Sequence, residues 1–199
     1  MLIAIEGCLG AGKTTVARGL AGYRKSELLL ENFEANPFLQ AFYEDPIGNA
    51  LETEFAFLLL HYHQLKGHAK LASKSEVIAD FHLGKDLLYA DLNLKDEHAR
   101  RLFDDLYELC LHKTPHPALL VFLSATTELV VDRIRGRSRA YELEIDPAYY
   151  ATVNEAYEEF FDGYSGNKLR VSMEEWDFVK EPALYGRLAL LIDTALQNK

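Results

Sequence analysis

Residues 7–14 read Gly7-Cys8-Leu9-Gly10-Ala11-Gly12-Lys13-Thr14, a full G-x-x-x-x-G-K-[ST] phosphate loop. Such a loop functions only between a strand and a helix, so it constrains the fold around it. Its glycines let consecutive backbone N–H groups turn inward and cradle phosphate oxygens. Lys13 reaches the outer phosphates, and the Thr14 hydroxyl can ligate Mg²⁺. The run before it, Leu2-Ile3-Ala4-Ile5, is apolar and strand-like, and Thr15-Val16-Ala17-Arg18-Gly19-Leu20 continues as a helix. A helix N-terminus adds its dipole to anion binding. The pattern predicts a nucleoside triphosphate site and leaves the acceptor of the phosphate open.

Apolar strand candidates alternate with helical stretches along the whole chain. The strands are expected at 2–6, 27–31, 76–80, 118–123 and 168–172. The helices are expected at 13–23, 36–44, 48–72, 85–92, 95–112, 126–136, 146–163 and 181–197. Continuous apolar strands separated by helices indicate a parallel sheet covered on both faces. The fold expected is one α/β domain spanning 1–199, three layers deep, with a five-stranded parallel sheet. With 199 residues the chain can bury a full core.

The remaining bulk properties narrow the substrate. A formal charge of −10 argues against a nucleic-acid polymer, whose backbone demands a basic surface, and favours a small molecule. No apolar run is long enough to span a bilayer, and the first strand begins at residue 2, so no membrane association or signal peptide is expected. The two cysteines, Cys8 and Cys110, lack metal-site spacing, and a cytoplasmic location is expected. His61, His63 and His68 lie close on one helix but lack the i, i+4 spacing of a metal pair, which suits a surface or pocket-edge role.

In such sheets ligands sit at the carboxyl ends of the strands. Three strands end in an acid or lead directly to one: Glu6, Glu31 and Asp80. Two acids beside a phosphate loop suggest one for the Mg²⁺ shell and one as a base.

These residues resemble the deoxynucleoside kinases of the deoxyadenosine, deoxyguanosine and deoxycytidine kinase type. Four ordered segments carry the resemblance over nearly the whole chain. They are Ile3 to Thr15; Glu31 with Asn36-Pro37-Phe38-Leu39 and Phe42-Tyr43; Asp80 followed by Asp86 and Ala90; and Arg133-Ile134 with Arg137, Arg139 and Glu142, an R-I-x-x-R-x-R-x-x-E lid spanning about 133–145. The resemblance implies transfer of the ATP γ-phosphate to the 5′-hydroxyl of a deoxynucleoside, with Mg²⁺, in a homodimer. Glu31 takes the general-base position, where a carboxylate can accept the hydroxyl proton. Glu34, three residues on, is read as a solvated acid. Asp80 takes the metal-shell position beside Thr14. Family members often carry Arg immediately after this acid, and this chain has Phe81. Lys85 is the candidate replacement cation, against the plainer reading of a surface lysine.

Arg133, Arg137 and Arg139 fall in the lid role, with Gly136 and Ser138 as hinge positions and Arg135 peripheral. Guanidinium donors there would neutralise the transferring phosphoryl group. The resemblance places Tyr43 and Glu142 at the sugar 3′-hydroxyl, which favours deoxyribose over ribose. It places Trp176-Asp177-Phe178 beside the ATP adenine, against ordinary core packing.

Eleven positions after Tyr43, where the family usually has Gln to read the base, this chain has Glu54. One helical face then carries Glu54, Phe57, Leu58 and His61, the last where some relatives have Arg. An ionised carboxylate only accepts hydrogen bonds. Guanine offers two adjacent donors, N1–H and the 2-amino group, whereas adenine and cytosine each offer a donor beside an acceptor. Purine, and deoxyguanosine in particular, is the expected acceptor. The alternatives are a deoxyadenosine or deoxycytidine kinase of the same type, or a nucleoside-monophosphate kinase. Glu31 disfavours the last by standing where an acceptor's own phosphate would sit. A GTPase lacks its switch glycine, because Gly84 falls one residue too late after Asp80, and Arg170 stands where its guanine-reading aspartate would be. A non-catalytic subunit is opposed by the intact Lys13, Thr14, Glu31 and Asp80.

Overall fold

The computed structural model describes residues 1–137 and 147–197, with Arg137 described by its backbone alone. Five strands form one parallel sheet: β1 (Leu2–Glu6), β2 (Glu27–Leu29), β3 (Val77–Ala79), β4 (Leu119–Ser124) and β5 (Lys168–Ser172). Their spatial order is β2-β3-β1-β4-β5. β1 is central, with Ile3 registered against Ile78 on one side and Leu119 on the other. All five β1 residues are buried, as a strand flanked by neighbours and covered on both faces requires.

The helices are α1 (Lys13–Arg24), α2 (Leu39–Glu44), α3 (Pro46–Ala72), α4 (Gly84–Asn93), α5 (Glu97–Leu111), α6 (Thr127–Arg137), α7 (Pro147–Gly163) and α8 (Leu184–Gln197). One buried cluster unites β1 and β4 with α1, α7 and α8 through Ile5, Leu20, Phe122, Tyr157 and Leu188. A second joins β3 to α3, α4 and α5 through Leu58, Phe81 and Phe103. Chain order reverses about β1, between β3 and β4, and the crevice at the strand ends there is where open α/β sheets take ligands. Among the described residues no helix is long and apolar enough to cross a membrane.

Most elements lie within one to three residues of their sequence-based boundaries, and two of the differences have a clear local reason. β2 ends at Leu29 rather than residue 31, because the Glu31 N–H leaves the ladder and donates to Asp80 Oδ1 at 2.7 Å. The helix expected over 36–44 is replaced by a 3₁₀ turn, Phe33–Ala35, followed by α2. Asn36, placed before Pro37, is held in extended backbone. Its Oδ1 accepts from the Phe38 N–H, and its amide donates to Thr53 O at 3.0 Å.

Candidate functional site

The phosphate loop occupies the end of β1. Gly7 has φ +149°, and a Cβ there would meet Leu123 O at 2.6 Å, so a side chain is excluded. Gly12 has φ +105° and directly precedes α1, turning the chain into the helix. Lys13 Nζ folds back to donate to Gly7 O at 2.7 Å and Cys8 O at 3.1 Å. Arg133, from α6, donates to Ala11 O at 2.8 Å, which brings this guanidinium onto the loop. Arg139 and Glu142 lie outside the described residues, as does the side chain of Arg137.

The strand-end acids converge on this loop. Thr14 Oγ1 donates to Asp80 Oδ2 at 2.6 Å, so hydroxyl and carboxylate already stand side by side. A hard cation such as Mg²⁺ takes one or two protein oxygens and completes its shell with phosphate and water. Thr14 and Asp80 fit that donor set, and Mg²⁺ held there would neutralise charge on the phosphates. Glu6 is fully buried. Its two oxygens accept from His82 N at 2.6 Å and Gly7 N at 3.3 Å, pinning the loop to the segment after β3. Burial pushes the Glu6 carboxyl up to about 7, against the pull of Lys85 and Lys13.

Glu31 sits in a charge network. Lys85 Nζ donates to both of its oxygens, at 2.7 and 2.8 Å, and His61 Nε2 lies 3.0 Å from Oε1. Burial opposes ionisation, but Lys85 and His61 overcome it and hold the Glu31 carboxyl far below the usual range. Glu31 in turn keeps the Lys85 ammonium charged despite burial. On its other side His61 Nδ1 lies 2.7 Å from Asp86 Oδ1. Burial works against the imidazolium, yet Asp86 and Glu31 lift His61 to about 9. The ring is packed between Phe57 and Phe81, at centroid distances of 5.5 and 5.0 Å.

Phe81 is fully buried, in the core that joins β3 to α3 and α5, so it occupies no cation's place at the cleft. Lys85, in the first turn of α4, is only 7% exposed and bonds both Glu31 oxygens, so it is not a surface lysine.

The cleft runs from the loop into the space between α3, α4 and α7. Besides Leu9, Gly10, Gly12, Lys13 and Thr14 at the loop, it is lined by Glu31, Asp80, Lys85 and Asp86 near the acids. Tyr43, Glu54 and Phe57 also line it, and His61 lies against both Glu31 and Asp86. Glu54 is 3% exposed, and Asn93 Nδ2 donates to its Oε1 at 2.7 Å. Burial pushes Glu54 up to about 7, with Asn93 holding it back and the Asp86 charge adding to the rise. Glu52 is exposed, and Thr53 lines the cleft beside Glu54 with its hydroxyl unpartnered.

Trp176 and Phe178 do not line this cleft. Both are buried in the core, 5.6 Å apart, with Arg187 of α8 stacked 4.7 Å from the indole. Asp177 accepts from the Val179 and Lys180 amides and pairs with Lys180. Residues that sequence reasoning missed at the cleft include Asn93, Tyr89 and Tyr149. Asp86, Tyr89 and Asn93 fall at i, i+3, i+7 on α4, a one-face pattern that could have found two of them.

A buried carboxyl with a raised pKa leaves a mark on stability. Such a group stabilises fully below its unfolded value, here 4.5, and the contribution is lost as pH rises through about 7. Glu54→Gln removes that loss. Urea melts from pH 5 to 7.5 should show wild type losing stability more steeply than the variant, by up to about 1.4 kcal/mol per pH unit. Parallel profiles would mean that Glu54 titrates as an ordinary exposed acid.

Residues 3–197 match the family model described as deoxynucleoside kinase. The deoxyguanosine kinase of Bacillus subtilis (strain 168) is 32% identical over 158 residues, covering 78% of this chain and 76% of that protein. The deoxyadenosine kinase of Lactobacillus acidophilus is 26% identical over 195 residues, covering 89% and 88%. The solved structure of deoxyadenosine kinase from M. mycoides, with the products dCMP and a flexible dCDP bound, superposes with a TM-score of 0.83. It is 26% identical, covering 98% of this chain and all of that one.

Proposed function

Since this chain belongs to the deoxynucleoside kinase family and is an ATP-dependent deoxynucleoside kinase, we propose that its acceptor is a purine deoxynucleoside, deoxyguanosine before deoxyadenosine. The observation that carries the base preference is Glu54. It is a buried carboxyl lining the cleft, held through one oxygen by Asn93, with the other left for a ligand. When ionised it accepts from guanine N1–H and the 2-amino group together, and it opposes the N1 lone pair of adenine.

In the proposed reaction the acceptor 5′-hydroxyl lies against Glu31. As the O5′–phosphorus bond forms and the bond to the ADP oxygen breaks, the hydroxyl proton passes to a Glu31 oxygen. Lys13, Lys85 and Arg133 supply positive charge around the transferring group, with Arg137 and Arg139 as the further lid cations. Thr14 and Asp80 would hold Mg²⁺, which would neutralise charge on the phosphates. Tyr43 stands at the sugar end, where with Glu142 it would bond the 3′-hydroxyl. Dimerisation is proposed through α3 and α5, which expose Leu59, Leu102 and Leu109. A cytoplasmic setting fits the small-molecule acceptor.

The test is a substrate panel at pH 7.5 with ADP release as readout. With a Glu54 carboxyl that ionises at about 7, deoxyguanosine is expected to exceed deoxyadenosine and deoxycytidine in kcat/KM by about threefold at this pH. Faster turnover of deoxyadenosine or deoxycytidine sinks the preference.

A further inference from the structure

We propose that Glu54 and Asn93 form a base reader whose choice is set by one proton: guanine is taken when the Glu54 carboxyl is ionised, adenine when it carries a proton on Oε2. This deepens the proposed base preference and rests on that reading of Glu54.

The geometry supports it in three ways. Asn93 Nδ2 occupies Glu54 Oε1 at 2.7 Å. An amide N–H can only donate, so the acidic proton is directed to Oε2, the oxygen that remains for a ligand. Protonated, that edge is a donor beside an acceptor, complementary to adenine N1 and its 6-amino group. Ionised, both positions accept, complementary to guanine N1–H and its 2-amino group.

The surroundings favour exchange between the two forms. Glu54 is 3% exposed on α3. From α4 it is faced by Asp86, Asn93 and Lys85, from its own helix by His61, and from α7 by Tyr149. Asp86 opposes ionisation, while His61, Lys85 and the Asn93 amide favour it. The opposing influences, with burial, leave the carboxyl at about 7, so both forms are present near neutrality. Asp86 Oδ2 and Thr53 Oγ1, both buried and unpartnered in the same cleft, accept or donate to whichever base edge remains.

The consequence is quantitative. If guanine binds only the ionised enzyme and adenine only the protonated one, the ratio of their kcat/KM values follows the ratio of the two forms. That ratio rises about tenfold per pH unit at every pH, whatever the pKa. Titrations of Glu31, Lys85 or the phosphates act on both substrates alike and cancel.

The experiment is kcat/KM for deoxyguanosine and deoxyadenosine from pH 6 to 8, where both bases stay neutral. Wild-type enzyme and Glu54→Gln are compared. Wild type is expected to raise the deoxyguanosine-to-deoxyadenosine ratio by about 100-fold across that range. Glu54→Gln, which offers a donor and an acceptor at every pH, should give a flat ratio displaced toward deoxyadenosine. Asn93→Ala should displace the sloping line toward deoxyadenosine, since the lost amide no longer favours the carboxylate. A wild-type ratio constant within twofold, with Glu54→Gln still shifting it, overturns the proton switch and leaves Glu54 as base reader. A ratio untouched by Glu54→Gln overturns both.

Discussion

Replacing Glu31 by glutamine is expected to lower kcat/KM by about 10²- to 10³-fold, mostly in kcat, with the fold retained. Glutamine matches glutamate in shape, so the loss isolates the charge. Two roles vanish together. The carboxylate that would receive the 5′-hydroxyl proton is gone, and Lys85 loses the anion that it contacts through both oxygens. The second role dominates. A carboxyl held far below its usual range by Lys85 and His61 is a poor proton acceptor near neutrality. Phosphoryl transfer also draws more from positioning and charge than from base catalysis. On the proposed roles, Glu31 would then work chiefly by orienting the hydroxyl and balancing the cations, and would take the proton late. Steady-state ADP release checks this; a loss below about tenfold would move the acceptor-activating role to another group.

Lys85→Met is expected to lower kcat/KM by a similar amount, about 10²- to 10³-fold, as for removal of one donor to a developing oxyanion. Its signature is in the pH profile. Without the ammonium at 2.7 Å, Glu31 loses the largest influence holding its carboxyl down, and its pKa rises toward the usual range. An acidic limb should then enter the kcat/KM profile of the variant below about pH 5, as Glu31 approaches the ordinary carboxylate value of 4.5, where wild type has none from this group. Lys85→Arg restores the charge and should recover part of the rate and remove the limb. Removing one member of a buried ion pair also costs roughly 3–5 kcal/mol of stability, so the rates are read on protein shown to be folded by circular dichroism. A variant with near wild-type rate and no new limb would return Lys85 to a structural role.

The parts of this molecule that sequence exposes are those encoded locally. The phosphate loop has fixed spacing, and β1, β3 and β4 are short apolar runs bounded by helices, so strand identity and parallel order follow from pattern. Glu31 and Asp80 are legible because strand ends in such a sheet point into the crevice. The network is less legible because its pairs join distant stretches: Glu31 with Lys85, 54 residues apart, and Glu54 with Asn93, 39 apart. A lysine in the first turn of a helix reads as surface, since buried lysines are rare, and only the Glu31 partner explains this one. Phe81 reads as a missing cation until the core around it is seen. Trp176 and Phe178 form an aromatic cluster whose sequence does not distinguish a ligand platform from packing against α8. Arg133 of the lid reaches Ala11 O, while Arg139 and Glu142 fall outside the described residues.

The imidazole of His61 touches Asp86 with one nitrogen and Glu31 with the other. On the proposed roles, the first belongs to nucleobase selection and the second to bond-making. The two halves of the reaction are thus wired in series through a single ring. An engineer who redraws the acceptor pocket at Asp86 to admit an unnatural nucleoside also alters the tether on Glu31. Selectivity and turnover in this enzyme are therefore not separate dials. Combinatorial libraries at 54, 61, 86 and 93 need Glu31 and Lys85 included, because the best residue at either end depends on its counterpart across the ring.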